Sequence, residues 1–453
     1  MIAPTARVRL GYGVGSFCTA TFAAVPGLLL LYYLTHFLAV PPWLAGAIVA
    51  APKVWDLLVN PLIGRWSDRT TSRWGPRRPW LLAGACTLPI AFALVFAGPP
   101  LRGVPAAIYV GVCFLLAATA YALFEVPYKA MPAEMTDDYH ERTSLLQWRM
   151  VFIGAATGIS GILAPAIVAS EGANGTLGSY RLMAVTIALI MLASMLGAFF
   201  GTARAPMTGA PDPDPGTLFD QIKEVRHNKP FWWLLVLSST QMLAVGMMLA
   251  AAPYFAAYTL DTPGATSTLF AALVGPLLLT MPLWVRLSRR FDKRGAMVIA
   301  ACVYAGGTAL GAATPLLGSL YAHATMFLVG AGIAGVQLLQ FSMLADVIAV
   351  DAGMTGKRRA GVFTGLWTAI ESAVSSFGAL AFGAVLTIGG FLESDPSSPV
   401  RQPDSAVTAV LVGQTVVPAV IIVLSVLMTL QYRLPRDTPW TTDQASSTRP
   451  AMP

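Results

Sequence analysis

Residues 53–82 read KVWDLLVNPLIGRWSDRTTSRWGPRRPWLL. An apolar segment runs to about Gly64, a short loop rich in Arg follows it, and a second apolar segment begins at Pro79. A basic loop between two apolar segments is typical of the cytoplasmic side of a membrane protein. The stretch therefore predicts two membrane-spanning helices joined by a tight loop.

The composition extends this pattern to the whole chain. Of the 453 residues, 56% are hydrophobic and 11% are charged, and the mean hydropathy is +0.65. Soluble domains carry roughly a quarter charged residues, so a soluble protein is excluded. The net charge of +7 does not indicate a nucleic-acid partner, because the basic residues lie in short loops between apolar segments.

Apolar segments long enough to cross a membrane, about 20 residues each, divide the chain into two halves. Residues 1–203 form the N-terminal half and residues 229–432 the C-terminal half, with a polar linker at 204–228 and a disordered cytoplasmic tail at 433–453. The predicted spans lie near residues 17–39, 43–64, 79–98, 105–130, 145–171, 179–203, 229–258, 264–287, 295–316, 319–347, 361–388 and 406–432. The predicted fold is therefore an all-α membrane protein of twelve transmembrane helices.

An internal repeat supports two pseudo-symmetric six-helix halves. PLIGRWSDR starts at Pro61 and PLWVRLSRR starts at Pro282, an offset of 221 residues. The two segments match at five positions and end corresponding spans of the two halves. Transporters built from two such halves bind their substrate between the halves, near the membrane midplane.

The basic residues also predict the orientation. Of 29 Lys and Arg residues, only Arg102, Arg181 and Arg401 fall in loops that we assign to the outside. Both termini are therefore expected in the cytoplasm, and the first ten residues show no removable signal peptide. We expect a multi-pass protein of the plasma membrane, of the bacterial inner-membrane type.

Neither a metal site nor an enzyme is indicated. The cysteines lie in apolar spans without metal-ligand spacing, the four histidines share no spacing, and no paired acidic motif stands at a membrane boundary. The cysteines are Cys18, Cys86, Cys113 and Cys302.

The loop that begins at Gly64 resembles the signature of the major facilitator superfamily, where a Gly-x-x-x-Asp-Arg run joins the second and third helices. The resemblance implies a conformational gate at Gly64, Asp68, Arg69 and Arg73. Gly64 would permit close helix approach, and Asp68 would hold a neighbouring cation or helix N-terminus. A plain positive-inside anchor is the alternative.

Four segments narrow the resemblance to the glycoside-pentoside-hexuronide:cation symporter family, the melibiose permease-like transporters. They are RLGYGVGSF from Arg9, the stretch at 53–82, FEVPYKAMPAEMTDDYHERTSLLQWRM from Phe124, and SMLADVIAVDAGMTGKRRAGVFTGLWTAIES from Ser342. The resemblance implies symport of a small organic solute with a cation by alternating access. A sugar or glycoside is the expected solute, and the expected partners are this solute, the coupling cation and the lipid bilayer, with the protein a monomer.

In that family, the second helix carries a basic residue followed by two carboxylates that take part in cation binding. Here the pattern is Lys53, Asp56 and Asn60, and spacings of three and four place them on one helix face. Asn60 replaces a carboxylate, which favours H+ over Na+, since sodium needs several oxygen ligands. Na+ remains an alternative coupling ion because Asn60 offers an amide oxygen. A second alternative is that Lys53 and Asp56 form an ion pair that only fixes helix packing.

The resemblance places the solute site on the fourth and fifth helices. Glu125 occupies the acidic position that binds sugar hydroxyls, Tyr121 lies one turn earlier and is expected to stack on a sugar ring, and Arg149 occupies the basic position. In the first helix, Ala20 replaces the polar position of the family, leaving Thr19 beside it. A structural pair between Glu125 and Arg149 is the alternative.

The eleventh helix also departs from the family. Ser372 replaces the expected lysine, so that Glu371 stands without its usual cation, and Trp367 is a further candidate for solute contact. The loss of sugar-type polar groups leaves transport of a lysolipid or other amphipathic solute open as an alternative. Proton-driven export is a further alternative, against which the missing Gly-Pro-x-x-Gly-Gly run of drug antiporters argues.

Overall fold

The computed structural model describes residues 5–136, 138–171, 175–205, 222–223, 225–355, 359–394 and 400–431. The α-helices of the N-terminal half are α1 Ala6–Phe37, α2 Pro42–Asp68, α3 Arg78–Phe96, α4 Gly103–Met135, α5 Tyr139–Val168 and α6 Leu177–Gly201. Those of the C-terminal half are α7 Lys229–Tyr254, α8 Thr266–Leu279, α9 Met281–Leu310, α10 Thr314–Thr355, α11 Ala360–Ile388, α12 Asp404–Gln414 and α13 Val416–Gln431.

By length and apolar composition, ten helical segments of the described chain are able to cross a membrane. One of these runs from Met281 to Thr355 and contains non-helical backbone at Asp292 and Gly318. Both breaks coincide with loops predicted between spans. The helical membrane fold is therefore confirmed, and the count of twelve stays a prediction.

The surface of the bundle is apolar in the way that a lipid-facing surface requires. Large apolar side chains such as Leu58, Ile108 and Leu189 are exposed on the outside of their helices, with 63%, 63% and 59% of their surface accessible. In water such a surface would be an aggregation hazard. In a bilayer it contacts acyl chains, because each helix satisfies its own backbone hydrogen bonds.

The two halves share one anchoring arrangement at the start of their third span. Arg78, at the start of α3, donates through Nε and Nη2 to the carbonyl of Phe199 near the end of α6, at 3.3 and 3.0 Å. In the C-terminal half, Arg294 donates to the carbonyls of Thr429, at 3.2 Å, and Leu430 near the end of α13. A guanidinium satisfies carbonyls that a helix C-terminus leaves unpaired. The corresponding contacts are those expected of pseudo-symmetric halves.

The most extensive contacts between the halves involve three helix pairs, α1 with α7, α2 with α11, and α5 with α8, and α1 also contacts α11. Two glycines permit the α2–α11 contact. A Cβ on Gly46 would lie 2.9 Å from the Cα of Leu380, and one on Gly383 would lie 2.5 Å from the carbonyl oxygen of Pro42. The helix backbones therefore touch at this crossing, as small residues allow in membrane bundles.

Hydrogen bonds between the halves are concentrated at one end of the bundle. The Thr35 hydroxyl shares a hydrogen bond with the Tyr254 hydroxyl at 2.6 Å, and Nδ1 of His36 lies 3.0 Å from the Tyr258 hydroxyl. The backbone N–H of Ser394 donates to the carbonyl of Thr35 at 3.0 Å. We call these five residues the latch, and their end of the bundle the latched end. The latch holds the halves together there.

Removing one latch hydrogen bond is expected to open the latched end more often. A hydrogen bond contributes about 0.5–1.5 kcal/mol, so Tyr254→Phe should raise the exposure of the interface behind the latch roughly 2- to 10-fold. The measurement is the labelling rate of Leu249→Cys by a hydrophilic maleimide in a cysteine-free background, since Leu249 contacts Gly27 across the halves.

Tyr33→Phe is the matched control for this prediction. The Tyr33 hydroxyl is also buried near the latched end, but it donates to the carbonyl of Phe96 within the N-terminal half, at 3.0 Å. This variant should label at the parent rate. Equal labelling of the Tyr254→Phe variant and the parent would show that the latch does not hold this end closed.

Candidate functional site

A buried carboxylate, that of Glu125 on α4, brings three helices of the N-terminal half together. Its Oε2 accepts a hydrogen bond from the Thr19 hydroxyl of α1 at 2.7 Å. Its Oε1 lies 3.2 Å from Nη2 of Arg149 on α5. Only 4% of the Glu125 side chain is accessible. The structure thus places three of the predicted solute-binding residues in direct contact.

Lys129 joins this cluster, and the sequence analysis did not assign it a role. Its Nζ lies 2.9 Å from Oε1 of Glu125, one helical turn away on α4. An acid and a base at i and i+4 share one helix face, and this spacing was the available signal. Lys129 was overlooked because it lies near the end of a predicted span, where a lysine is readily taken for an interfacial anchor.

Aromatic side chains position the cluster. The Tyr128 hydroxyl shares a hydrogen bond with the Ser16 hydroxyl at 2.7 Å and donates to the carbonyl of Tyr12. The Tyr128 ring stacks on the Tyr12 ring with centroids 4.6 Å apart, and the guanidinium of Arg149 lies 5.8 Å from the Tyr128 centroid. This contact is within cation–π range. The aromatic pair therefore fixes where Arg149 meets Glu125.

Tyr121 is less free to stack on a sugar than the sequence suggested. Its ring stacks on the Phe22 ring of α1, with centroids 4.6 Å apart and an interplanar angle of 17°. One face of the ring is therefore occupied by Phe22. The role of Tyr121 in solute binding stays a prediction.

The predicted cation site lies on α2 beside this cluster. Nζ of Lys53 lies 3.4 Å from Oδ2 of Asp56, while Oδ1 of Asp56 is buried with no hydrogen-bond partner in the described part of the chain. Asp56 is within electrostatic range of Lys129 and Glu125. Asn60 is half-buried and has no hydrogen-bond partner among the described residues. The described residues also contain no group of three or more His, Cys, Asp or Glu side chains able to hold a metal ion.

The candidates in the C-terminal half lie apart from the cluster. Glu371 on α11 accepts a hydrogen bond from the Ser238 hydroxyl of α7, and no cation of the described chain pairs with it. Trp367 is fully buried, with its ring centroid 6.4 Å from that of Phe341. Its indole N–H is buried without a hydrogen-bond partner among the described residues, and the solute contact of Trp367 stays a prediction.

The predicted gate is built around a residue that the sequence analysis left unassigned. Nη1 of Arg77 lies 2.5 Å from Oδ1 of Asp68 at the end of α2, and Nη2 lies 2.5 Å from Oε1 of Glu134 on α4. Arg77 also donates to the Ser67 hydroxyl. Arg77 and Glu134 are both buried, whereas 55% of the Asp68 side chain is accessible. Asp68 therefore holds a neighbouring cation, as expected.

The other gate residues have different surroundings. Arg69 and Arg73 are exposed, and the guanidinium of Arg73 lies 5.1 Å from the Trp74 ring centroid. A Cβ on Gly64 would meet only Val126, at 3.8 Å. The predicted close helix approach at Gly64 is wrong for this structure, since an alanine would make ordinary contact there.

Loss of Arg77 should destabilise the fold, because Glu134 would be left buried with an uncompensated charge. Breaking a buried ion pair costs about 3–5 kcal/mol of unfolding free energy. Because Asp68 is exposed and its charge stays solvated, we expect Arg77→Gln to lose an amount near the lower end of this range. The measurement is the free energy of unfolding in a detergent titration. Arg73→Gln in the same loop is the control and should change it by less than about 0.5 kcal/mol. Equal effects of the two variants would contradict a structural role for the Arg77 pairs.

Comparison with known proteins identifies the family. A family model described as MFS/sugar transport protein matches residues 11–436. The chain belongs to this family. Relatives of the chain are named as symporters, among them a putative glycoside/cation symporter of Escherichia coli. The resemblance to glycoside-pentoside-hexuronide:cation symporters is confirmed.

Individual relatives of this MFS/sugar transport protein are similar along almost its whole length. The inner membrane symporter YicJ of Escherichia coli is 26% identical, over 94% of this chain and 91% of the relative. The isoprimeverose transporter of Lactiplantibacillus pentosus is 23% identical, over 95% of this chain and 89% of the relative. Among solved structures, a D-xylose-proton symporter aligns with a TM-score of 0.68 at 15% identity, over 94% of this chain and 98% of that one. The last comparison confirms the major facilitator fold.

Proposed function

We propose that this protein is a proton-coupled symporter that imports a sugar or glycoside by alternating access. The observation that carries the proposal is the cluster of Thr19, Glu125, Lys129 and Arg149, which three helices contribute. Beside it lies the carboxylate of Asp56, one oxygen of which has no hydrogen-bond partner among the described residues. Ionisable groups inside a membrane bundle are costly unless they serve a substrate or ion. The symporter relatives support a solute and a coupling cation.

Asp56 is the proposed proton carrier. Its Oδ1 has no hydrogen-bond partner among the described residues, and Lys53 contacts only Oδ2, at 3.4 Å. One carboxylate with a free oxygen is sufficient to hold a proton, whereas sodium needs several oxygen ligands. The amide of Asn60 is the nearest additional oxygen in the sequence pattern, so a sodium site would have to recruit Asn60 together with water or solute oxygens.

The orientation completes the proposal. The loop at 69–77 carries Arg69, Arg73 and Arg77, which places that end of the bundle in the cytoplasm by the positive-inside rule. The latched end then faces outward, and the conformation is closed to the outside. Both termini lie in the cytoplasm of a bacterial cell. Because one chain supplies both halves around the site, a monomer is sufficient for transport.

Neutralising Asp56 should abolish accumulation of solute against a gradient while sparing downhill exchange. Coupling is a reciprocal free energy between cation and solute binding, so Asp56→Asn removes the term that proton binding supplies. The measurement is uptake by energised membrane vesicles of a panel of glycosides, pentosides, hexuronides and lysolipids, with proton and sodium gradients imposed separately.

Asp404→Asn is the matched control, since this exposed carboxylate lies at the start of α12, far from the cluster. It should accumulate solute like the parent. Normal accumulation by Asp56→Asn would overturn the cation assignment, and accumulation driven by sodium alone would overturn proton coupling. Uptake of lysolipid alone would replace the sugar by an amphipathic solute, and solute movement outward against its gradient would indicate an exporter.

A further inference from the structure

Glu371 carries a carboxylate near the middle of α11 that no cation of the described chain balances. The apolar span runs from Gly361 to Ile388, so Glu371 lies close to its centre. Its carboxylate accepts a hydrogen bond from the hydroxyl of Ser238 on α7, which is fully buried. No charged side chain of the described chain lies within electrostatic range of Glu371. An ionised carboxylate with only neutral groups around it is costly inside a membrane bundle.

The helix that faces this part of α11 across the two halves is α2. The two helices cross in antiparallel directions, and continuing their contact toward the cytoplasm places Glu371 level with Trp55. Lys53 and Asp56 flank Trp55 and pair with each other at 3.4 Å. The positive charge of α2 at this depth is therefore already used, and the pair leaves nothing to balance Glu371.

The other elements that pack against α11 are α7, α12 and α1. On α7, Lys229 lies at the cytoplasmic start and Tyr254 at the latched end. Asp404 lies at the start of α12, beyond the other end of α11. On α1, the titratable side chains near the depth of the carboxylate, Tyr12 and Cys18, are fully buried in the N-terminal half. Within the described residues, these elements therefore supply no counter-charge.

An exposed polar face of α11 connects the carboxylate to one end of the bundle. Thr364, Thr368 and Ser372 follow one another at one-turn spacing, and all three are exposed. A surface that contacts lipid acyl chains is apolar, so these hydroxyl side chains indicate a face in contact with water. Glu371 adjoins Ser372 on this face. The loop before α11 reads KRR at 357–359, which indicates that the face opens to the cytoplasm.

Toward the other end, α11 is closely packed against both of its main neighbours. A Cβ on Gly378 would lie 2.3 Å from the backbone nitrogen of Met247 on α7. A Cβ on Gly46 of α2 would lie 2.9 Å from the Cα of Leu380. Backbones in such contact leave no room for water between them. Water therefore has a route to Glu371 from the cytoplasmic end and none through these two contacts.

We propose that Glu371 is a second proton-binding site, which exchanges its proton with the cytoplasm along this face of α11. The inference rests on the proposed proton symport and adds a site in the C-terminal half to that of Asp56. A proton removes the unbalanced charge. The Ser238 hydroxyl can hydrogen-bond both forms of the carboxyl group, because a hydroxyl both donates and accepts. On release, the O–H bond of the acid breaks and the proton passes to a water molecule.

The hydration of this site depends on the conformation of the transporter. When the cytoplasmic end closes, α2 and α11 approach each other along the polar face and displace its water. An ionised carboxylate loses more by dehydration than a neutral acid, so closure favours the bound proton. Opening restores the water and favours release into the cytoplasm. Proton binding and the position of the halves thereby affect each other by the same free energy.

Infrared difference spectroscopy on the purified full-length protein in lipid nanodiscs tests the site without any solute. A protonated carboxylic acid has a C=O band that a carboxylate lacks, and ordinary exposed Asp and Glu side chains are ionised at neutral pH. We expect an acid band at neutral pH that Asp56→Asn retains. The double variant Asp56→Asn with Glu371→Gln should lose this band, because the carboxyl group that holds the proton is gone.

Two adjacent serines provide matched variants in the Asp56→Asn background. The Ser238 hydroxyl donates to Glu371, whereas the Ser239 hydroxyl has no hydrogen-bond partner among the described residues. Ser238→Ala should shift the frequency of the acid band and raise the proton affinity about tenfold, since the ionised form loses a charged hydrogen bond. Ser239→Ala should change neither quantity. If the Glu371→Gln double variant does not fold, this pair still decides.

Cysteine labelling tests the proposed water route. In a cysteine-free background, a hydrophilic maleimide added to the cytoplasmic side should label Ser372→Cys at least about tenfold faster than Leu424→Cys. Leu424 is the control because it is exposed on the apolar surface of α13, where 51% of its surface is accessible. Equal labelling of the two variants would overturn the route.

The results separate this inference from the proposed function. Absence of the acid band from Asp56→Asn, its persistence in the double variant, or equal effects of the two serine variants would overturn the second proton site. Gradient-driven uptake by a parent in which Glu371 holds no proton would preserve symport and overturn the site. The acid band of Glu371 without any gradient-driven uptake would support the site and overturn symport.

Discussion

The buried charge of Glu125 is the feature on which the N-terminal half depends. A charge deep in a membrane bundle is costly unless a partner or a water-filled cavity compensates it. Here α1 contributes Thr19, α4 contributes Lys129 and α5 contributes Arg149. The same contacts that hold these helices in register are the ones that a solute would have to rearrange. Under the proposed function, one set of groups would therefore serve both packing and solute binding.

The contacts within the N-terminal half include charged pairs, whereas the latch contacts between the halves are neutral. Within the N-terminal half, buried Arg77 pairs with Glu134 through charged hydrogen bonds. Between the halves, the latch uses neutral pairs such as Thr35 with Tyr254, and glycine-mediated backbone contact at Gly46. Neutral hydrogen bonds each contribute about 1 kcal/mol. Separating the halves therefore breaks weaker contacts than separating helices within the N-terminal half.

The two halves have different chemistry despite their shared architecture. The ionic cluster belongs to the N-terminal half. The corresponding interior of the C-terminal half holds neutral groups, among them Gln241, which donates to Ser425 at 2.8 Å and accepts from Gln340 at 2.5 Å. Glu371 is the exception, and it contacts a serine. The described ion pairs of the bundle interior therefore lie in the N-terminal half, and the interior of the C-terminal half is held by neutral hydrogen bonds.

The sequence alone determined the membrane environment, the two halves and the shared helix face of Lys53 and Asp56, because hydrophobic length and helical period are local properties. Only the tertiary structure decided that Arg149 of α5 reaches the Glu125 oxygen that Lys129 also contacts, and that Trp367 is buried. Such contacts depend on how each helix is rotated and where it crosses its neighbours. That geometry is set by packing among all the helices, so no local pattern in the sequence encodes it.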